Sequence, residues 1–401
     1  MSIPIIDTDT HVIEAADVWT KRLPAKWRDQ TMQVRWSDKT QHEMWCIGER
    51  PFKRAWENVS YKVSGDGERE QVVDERWAPP TLAEAHPSAH LPRERVAIMD
   101  DWGIKLSVLY PNSAGFALEP FLDHPNPEIS LAHVRAYNDY QIEEWVGSAP
   151  GRFIPMMALP YWDVPAAVAE IERLADSGFG GVVMTGAPQQ HDQPHLISRH
   201  WDPMWRACEE ADLSVSFHVA NGTLSGGQAG PAVNEHHLRV SMRLGTASYL
   251  DNARQTVDLI SSGILARFPK LRFVISESGI GWVPFVLDAL DSRFVRDNIR
   301  RVLPEFGDLL PSDLFRRQVF VNFWFEHLED FHIEKIGIGN LLWETDFPHP
   351  TGLYYSDIAD VIDQALGGHP DQVKEQVLWK NPARLYSRAL EKQGVLSGAS
   401  V

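Results

Sequence analysis

The chain predicts an α/β fold, a (β/α)8 TIM-type barrel with an N-terminal insertion made of a small β-hairpin and an extended segment. Three observations predict it. Eight short apolar runs read as strands, and from Pro92 onward helical segments alternate with them. Eight such units in one chain are best satisfied by a closed parallel barrel. The runner-up, a doubly wound open sheet, would want a Gly-x-Gly-x-x-Gly turn or a phosphate loop after a strand, and the chain has neither.

The first strand is the run from Ile3 to His11. Residues about 20–90 then break the rhythm. Met32–Trp36 and His42–Ile47 face each other across a polar turn as a hairpin, and 57–90, with Gly65, Gly67, Pro79, Pro80 and Pro87, reads as extended. After the helix Arg93–Trp102 come the strand Lys105–Tyr110 and a long helix, Asn126–Ser148, opened by Asn-Pro. Arg152–Leu159 is the third strand, although Pro155 sits inside it. Helix Asp163–Ser177, strand Gly180–Met184, helix Trp201–Ala211 and strand Leu213–His218 follow. Helix Thr246–Phe268, strand Leu271–Glu277, helix Trp282–Val302 and strand Gln318–Phe323 continue the alternation. A short helix, Phe325–Lys335, leads to the last strand, Leu341–Asp346, and the stretch after it adds helices around Asp357–Leu366 and Asp371–Trp379. Residues 1–390 thus read as one domain and 391–401 as a tail.

Composition excludes several classes. A net charge of −17 argues against nucleic acid or an anionic membrane as main partner, since both reward a basic patch. Two cysteines, Cys46 and Cys208, offer neither a disulfide framework nor a CxxC metal site. There is no basic, apolar leader and no run of 18 apolar residues, so a cytoplasmic protein is the expectation. Fifteen tryptophans suit aromatic pockets, subunit contacts or simple core filling.

In a barrel, chemistry sits where strands end and loops begin. Strand one ends in Asp7-Thr8-Asp9-Thr10-His11, and period-two alternation puts Asp7, Asp9 and His11 on one face. Strand five ends in His218, strand six in Glu277 and strand eight in Asp346, each after an apolar run. Alone, His218 reads more readily as a satisfied core or rim histidine, and Asp346 as a turn-initiating residue before Pro348. Together, Asp9, His11, His218 and Asp346 would converge at the mouth as two carboxylates and two imidazoles, a set suited to one divalent cation. Asp7 reads as a buried hydrogen-bonding support.

These residues resemble the amidohydrolase superfamily, in particular the branch of aminocarboxymuconate-semialdehyde, resorcylate and carboxyvanillate decarboxylases. The resemblance rests on Ile6–His11, Phe217-His218, Glu277–Pro284, Glu344–His349 and Asn381–Tyr386, and spans nearly the whole chain outside the insertion. It implies a (β/α)8 barrel with one divalent metal ion, zinc or manganese, on Asp9, His11, His218 and Asp346. Two departures stand out. Strand one carries Asp-x-His where many members have His-x-His, which resembles the Glu-x-His decarboxylases that use manganese. Glu277-Ser278-Gly279 replaces a His-Gly-Gly segment whose histidine handles protons. The resemblance also implies a homodimer or higher homo-oligomer.

The expected activity is a metal-dependent non-oxidative decarboxylation of a small aromatic or unsaturated carboxylic acid, with Asp346, Glu277 and His218 at the reacting centre. The alternative is hydrolysis of an amide, ester or C–C bond by metal-bound water, because the same ligands serve both. A non-catalytic barrel holding a structural ion is a third reading, against which Glu277 speaks. Around the centre, Trp324, His349, Arg239 and Asn221 are candidate substrate contacts. Each has a plainer reading as well: core packing for Trp324, turn capping for His349, and solvent-facing ion pairs for Arg239 and its neighbour Arg243. The glycine-bearing loop Asn221–His237 reads as a lid or an ordered surface loop. Glu14 and Trp19 are open between support and site.

Overall fold

The computed structural model describes residues 3–59, 61–63, 69–71, 78–220, 237–349, 352 and 357–396. Thirteen strands occur among them: β1 (Ile5–Val12), β2 (Met32–Ser37), β3 (His42–Ile47), β4 (Arg50–Arg54), β5 (Tyr61–Val63), β6 (Arg69–Gln71), β7 (Ile104–Pro111), β8 (Phe153–Ala158), β9 (Gly181–Val183), β10 (Ser214–His218), β11 (Phe273–Ser276), β12 (Val319–Phe323) and β13 (Leu341–Trp343). Eight of them form one parallel sheet in the order β1-β7-β8-β9-β10-β11-β12-β13. The seam between first and last is sealed just above β13. Asp346 N donates to Asp9 O at 3.0 Å and His11 N to Phe347 O at 2.7 Å, and Thr8 Oγ1 donates to Trp343 O at 2.7 Å. The (β/α)8 barrel is therefore present and closed.

Strand side chains divide into two buried clusters, as the pleat requires. One lies under the surrounding helices and includes Leu109, Val182, Phe217, Phe273, Val321 and Trp343. The other fills the barrel with Ile6, Leu106, Val108, Ile154, Val274, Phe320 and Leu342, and Leu385, Tyr386 and Leu390 join it from the C-terminal helices. Helix starts follow the local chemistry. Asn126 accepts from the N–H groups of Glu128 and Ile129, and Asp163 from that of Ala166, each followed by Pro at the first helical turn.

Several bounds differ from expectation for physical reasons. The helix from Pro127 is α-helical to Tyr140 and then widens into a π turn over Gln141–Val146, where buried Gln141 donates to Met156 O at 2.8 Å. The helix expected to run to Phe268 is Ser261-terminated, because Gly263 takes φ +75° and restarts a short helix at Ile264. Asn298, at φ +52°, likewise ends the helix Val283–Arg296 early. Helix Pro311–Gln318 and strand β4 were not foreseen. β4 turns the hairpin into a three-stranded sheet, and Pro51 is tolerated there because β4 is an edge. Pro155 lies inside β8 as expected, and its carbonyl accepts from Gly180 N at 3.0 Å. The candidate lid and Asn221 lie outside the described residues. Among the described residues no helix is long and apolar enough to cross a membrane.

Candidate metal centre

The strand that carries Asp9 and His11 is not a regular strand. Asp7 pairs with Ser107 of β7 but Thr10 pairs with Leu109, so β1 uses three steps where β7 uses two. This bulge at Thr8-Asp9 breaks the period of two. The expectation that Asp7, Asp9 and His11 share one face is thereby corrected. His11 pairs with Tyr110 of the inner cluster, and Asp9 joins it in the barrel. Asp7 faces out, where its Oδ1 accepts from Thr345 N at 2.9 Å and its Oδ2 from Thr345 Oγ1 at 2.6 Å. Asp7 is a support, as expected, but from the opposite side. Burial pushes its pKa up to about 7, against the lowering effect of the Thr345 hydrogen bonds.

Asp9, His11, His218 and Asp346 meet at the mouth, all fully enclosed. His11 Nε2 lies 3.3 Å from Asp9 Oδ1 and 3.1 Å from Asp346 Oδ1. His218 Nε2 lies 3.3 Å from Asp9 Oδ2 and 3.5 Å from Glu277 Oε2. His349 joins them, with Nδ1 at 3.1 Å from Asp346 Oδ1. Two overlapping groups, Asp9-His11-His218 and His11-Glu277-Asp346-His349, each keep one donor atom per residue within 4.8 Å of the others.

The hydrogen bonds around this cluster fit a cation. His11 Nδ1 donates to Pro111 O at 3.1 Å and His218 Nδ1 to Val219 O at 3.2 Å, so each ring turns a lone pair inward. Asp9 Oδ1 and Oδ2, His11 Nε2 and His218 Nε2 are buried without a hydrogen-bond partner of good geometry among the described residues. Acceptors this close repel unless a positive charge lies between them. Donors bound at about 2.1 Å and at right angles stand about 3 Å apart, which the spacings here match. The centre is suited to one divalent metal ion.

Without an ion, a proton takes that place. Burial alone would strip charge from His11, but hydrogen bonds and attraction from Asp346 and Asp9 outweigh it and raise its pKa to about 10. His349 is pushed down to about 4, by burial first and then by the charge of His11, so it is neutral. Beneath the cluster lies Glu344, fully buried. Burial, then the charges of Asp9, Glu277, Asp346 and Asp7, hold it well above the usual carboxylate range.

Backbone strain aims two of the acids. Glu277 has φ +52° and Asp346 φ +56°, left-handed values that are uncommon outside glycine, more so for Glu than for Asp. Glu277 is held so by donation of its N–H to Asn322 Oδ1 at 2.9 Å, and Asp346 by the seam bond to Asp9 O. Asn252 steadies the same rim, donating to Phe217 O, Ser276 O and Ser278 Oγ. Two residues on from Glu277, Gly279 has φ +69°, and a Cβ there would be strained and would stand 2.6 Å from Glu326 Oε2 unless that carboxylate moved.

Other expected residues divide. Trp324 is buried, edge-on to Tyr249 at 5.7 Å and to Phe325 at 4.7 Å, an aromatic wall at the end of β12. Arg239 and Arg243 are exposed near the start of helix His237–Ser261. Glu14 proves to be a support. Its carboxylate accepts from the N–H groups of Asn112, Ser113 and Ala114, fixing the loop that carries Pro111 and Asn112. Trp19 is core, donating to His133 O.

Three participants were missed. Phe116 stacks on His218 at 3.7 Å and 20°. Arg95, fully buried, donates to His11 O at 2.8 Å and lies 4.5 Å over the Phe347 ring, bracing the segments of His11 and Asp346 from behind. Tyr110 OH, Ser216 Oγ and Ser276 Oγ form a triangle of hydrogen bonds, 2.9 to 3.0 Å on each side, close under His218. Only an inward parity along their strands could have pointed to the last set.

Comparison with known proteins gives concordant findings. The family model described as amidohydrolase matches residues 6–388. A gamma-resorcylate decarboxylase of Polaromonas sp. is 25% identical over 309 residues, 73% of this chain and 86% of that one. An amidohydrolase structure from Mycobacterium avium subsp. paratuberculosis superposes with a TM-score of 0.74 at 22% identity, over 96% of this chain and 100% of that one. A dihydroxybenzoic acid decarboxylase structure from Polaromonas sp., solved with manganese and the inhibitor 2-nitroresorcinol, has a TM-score of 0.62 at 17% identity, over 97% and 98% of the two chains.

Proposed function

The chain belongs to the amidohydrolase family and is an enzyme of that type, and from that premise we propose that it is a divalent-metal-dependent, non-oxidative decarboxylase of a small aromatic acid. The observation that carries the reading is the enclosed ligand set with a further carboxylate, Glu277, beside it. The similarity to a gamma-resorcylate decarboxylase over most of both chains supports it. Asp9, His11, His218 and Asp346 would hold the ion, manganese by analogy with the manganese-bound dihydroxybenzoic acid decarboxylase. When bound, the ion supplies a Lewis-acid centre that neutralises a carboxylate and a neighbouring ring oxygen.

The protein's own groups do the rest. Phe116 and the Trp324–Tyr249 pair offer aromatic faces against which a ring can lie. Their apolar surface keeps water from the reacting carbon. Glu277 would serve as the acid that delivers a proton to the ring carbon bearing the carboxylate, a ring π pair forming the new C–H bond. The C–C bond then breaks, its electron pair returns to the ring π system that supplied the new C–H bond, and carbon dioxide leaves. Asp346, pressed between His11 and His349, serves better as a ligand than as the proton carrier. A homodimer through the insertion belongs to the same proposal, supported by Trp36, which is half exposed at the hairpin end.

The test is turnover of hydroxylated benzoic acids by manganese-loaded protein, read as carbon dioxide release. Glu277→Gln should keep the metal and lose turnover by roughly 10²–10⁴-fold, the range for a positioned acid. Product acid labelled with oxygen from water, in place of carbon dioxide, would move the reading to hydrolysis.

A further inference from the structure

Resting on the metal centre proposed above, we infer that His349 is a fifth ligand to the ion, presented to it by Asn112. The argument begins at a side chain that no motif marks. Asn112, at the end of β7, is nearly fully buried. Its Nδ2 donates to Glu57 O at 3.4 Å. The amide can therefore turn only its oxygen toward the His349 ring, whose Nε2 is 3.1 Å away. An oxygen acceptor there requires a hydrogen on Nε2. In the neutral ring Nδ1 then holds the lone pair.

That lone pair points at Asp346 Oδ1, 3.1 Å away. His11 Nε2 stands at the same distance from the same oxygen. The two imidazoles are stacked, with centroids 3.7 Å apart and planes 14° apart, so their inward nitrogens flank Asp346 from adjoining positions. His349 Nδ1 lies in the group that also contains His11, Glu277 and Asp346. A nitrogen and a carboxylate oxygen facing each other as acceptors at 3.1 Å are at ease only with a cation between them. The arrangement repeats the one at His11 and His218, where the distal N–H is spent on a fixed acceptor and the proximal nitrogen is aimed inward.

Asn112 is itself held from two sides. Its N–H reaches Glu14 Oε1 at 3.0 Å, and the neighbouring Ser113 Oγ accepts from Trp45 Nε1 at 2.8 Å. Glu57 and Trp45 belong to the insertion. The insertion therefore acts, through Asn112, as a positioning element for the fifth ligand.

The experiment uses the full chain and manganese or cobalt as the probe. In cobalt-loaded wild-type protein, three exchangeable, paramagnetically shifted imidazole N–H resonances are expected, from His11, His218 and His349. Two would overturn the inference, and this readout needs no variant. His349→Phe keeps the stacking on His11 and removes the nitrogen. It should weaken manganese binding by about 10- to 100-fold and alter the visible spectrum of the cobalt form. Asn112→Leu should do likewise, whereas Asn112→Asp, which keeps an acceptor for Nε2–H, should stay within a few-fold of wild type. Unchanged affinity and an unchanged cobalt spectrum in His349→Phe would overturn the proposal. Failure of every aromatic acid to release carbon dioxide would sink the decarboxylase reading and leave these metal measurements standing. Failure of the wild type to bind manganese or cobalt would sink both.

Discussion

Metal binding by this protein should be coupled to one proton over most of the accessible pH range. In the metal-free centre the His11 pKa is about 10, because Asp346 and Asp9 outweigh the discharging effect of burial. The ion needs the Nε2 lone pair that the proton occupies. At pH 7, about three units lower, releasing that proton costs about 4 kcal/mol and lowers the apparent affinity about 10³-fold. His349, pushed down to about 4, is already neutral and adds nothing. Affinity should rise about tenfold per pH unit and level off near pH 10. Competition between the protein and a chelator of known proton affinity, at pH 7.0, 7.8 and 8.6, measures the slope after correction for the chelator. A slope near zero would refute the reasoning, since it would mean that His11 is neutral in the metal-free site. The same shift affects the metal-free fold. A raised histidine pKa contributes stability that is fully present below about 6.5 and is lost as pH rises through about 10.

Two further outcomes follow from the supports. Asp7→Asn removes a carboxylate whose pKa is raised to about 7, mainly by burial; the folded wild type holds that proton more tightly than the unfolded chain, so it loses stability from about pH 4 to 7. The melting temperature of Asp7→Asn minus that of wild type should therefore increase across this window, by the equivalent of up to about 4 kcal/mol, and a pH-independent difference would sink the idea. Glu14→Gln turns an amide donor toward backbone donors that now bond a carboxylate. It should lower stability by about 2–4 kcal/mol and weaken manganese binding, and a thermal transition equal to wild type would contradict the support assigned to Glu14.

Much of this was legible in the chain because two signals are local. Apolar runs of strand length carry the barrel, and a polar residue closing such a run marks the mouth; Asp9, His11, His218 and Asp346 follow from those alone. What was not legible depends on distant partners. The bulge at Thr8-Asp9 is visible only against the register of β7, so the inward set seemed to include Asp7. Glu14 has no local mark, because the three N–H groups it gathers lie about a hundred positions away. The left-handed turns at Glu277 and Asp346 carry no glycine to announce them. Arg95 reads as an ordinary charge on a helix, and only tertiary packing shows it enclosed behind His11.

The seam has a consequence for how the molecule comes into being. Three of the four residues proposed to hold the ion, Asp9, His11 and Asp346, straddle the junction of the first and last strands, where Thr8 reaches across 335 positions to Trp343. During synthesis the first two emerge at least 335 residues before the third. Until then the nascent chain lacks Asp346 and the seam bonds, and would capture an ion weakly. With that ligand set, cofactor acquisition would report completion: a chain interrupted before Asp346 would stay metal-poor, and a captured ion would work like the clasp of a bracelet, fastening the ring at its seam.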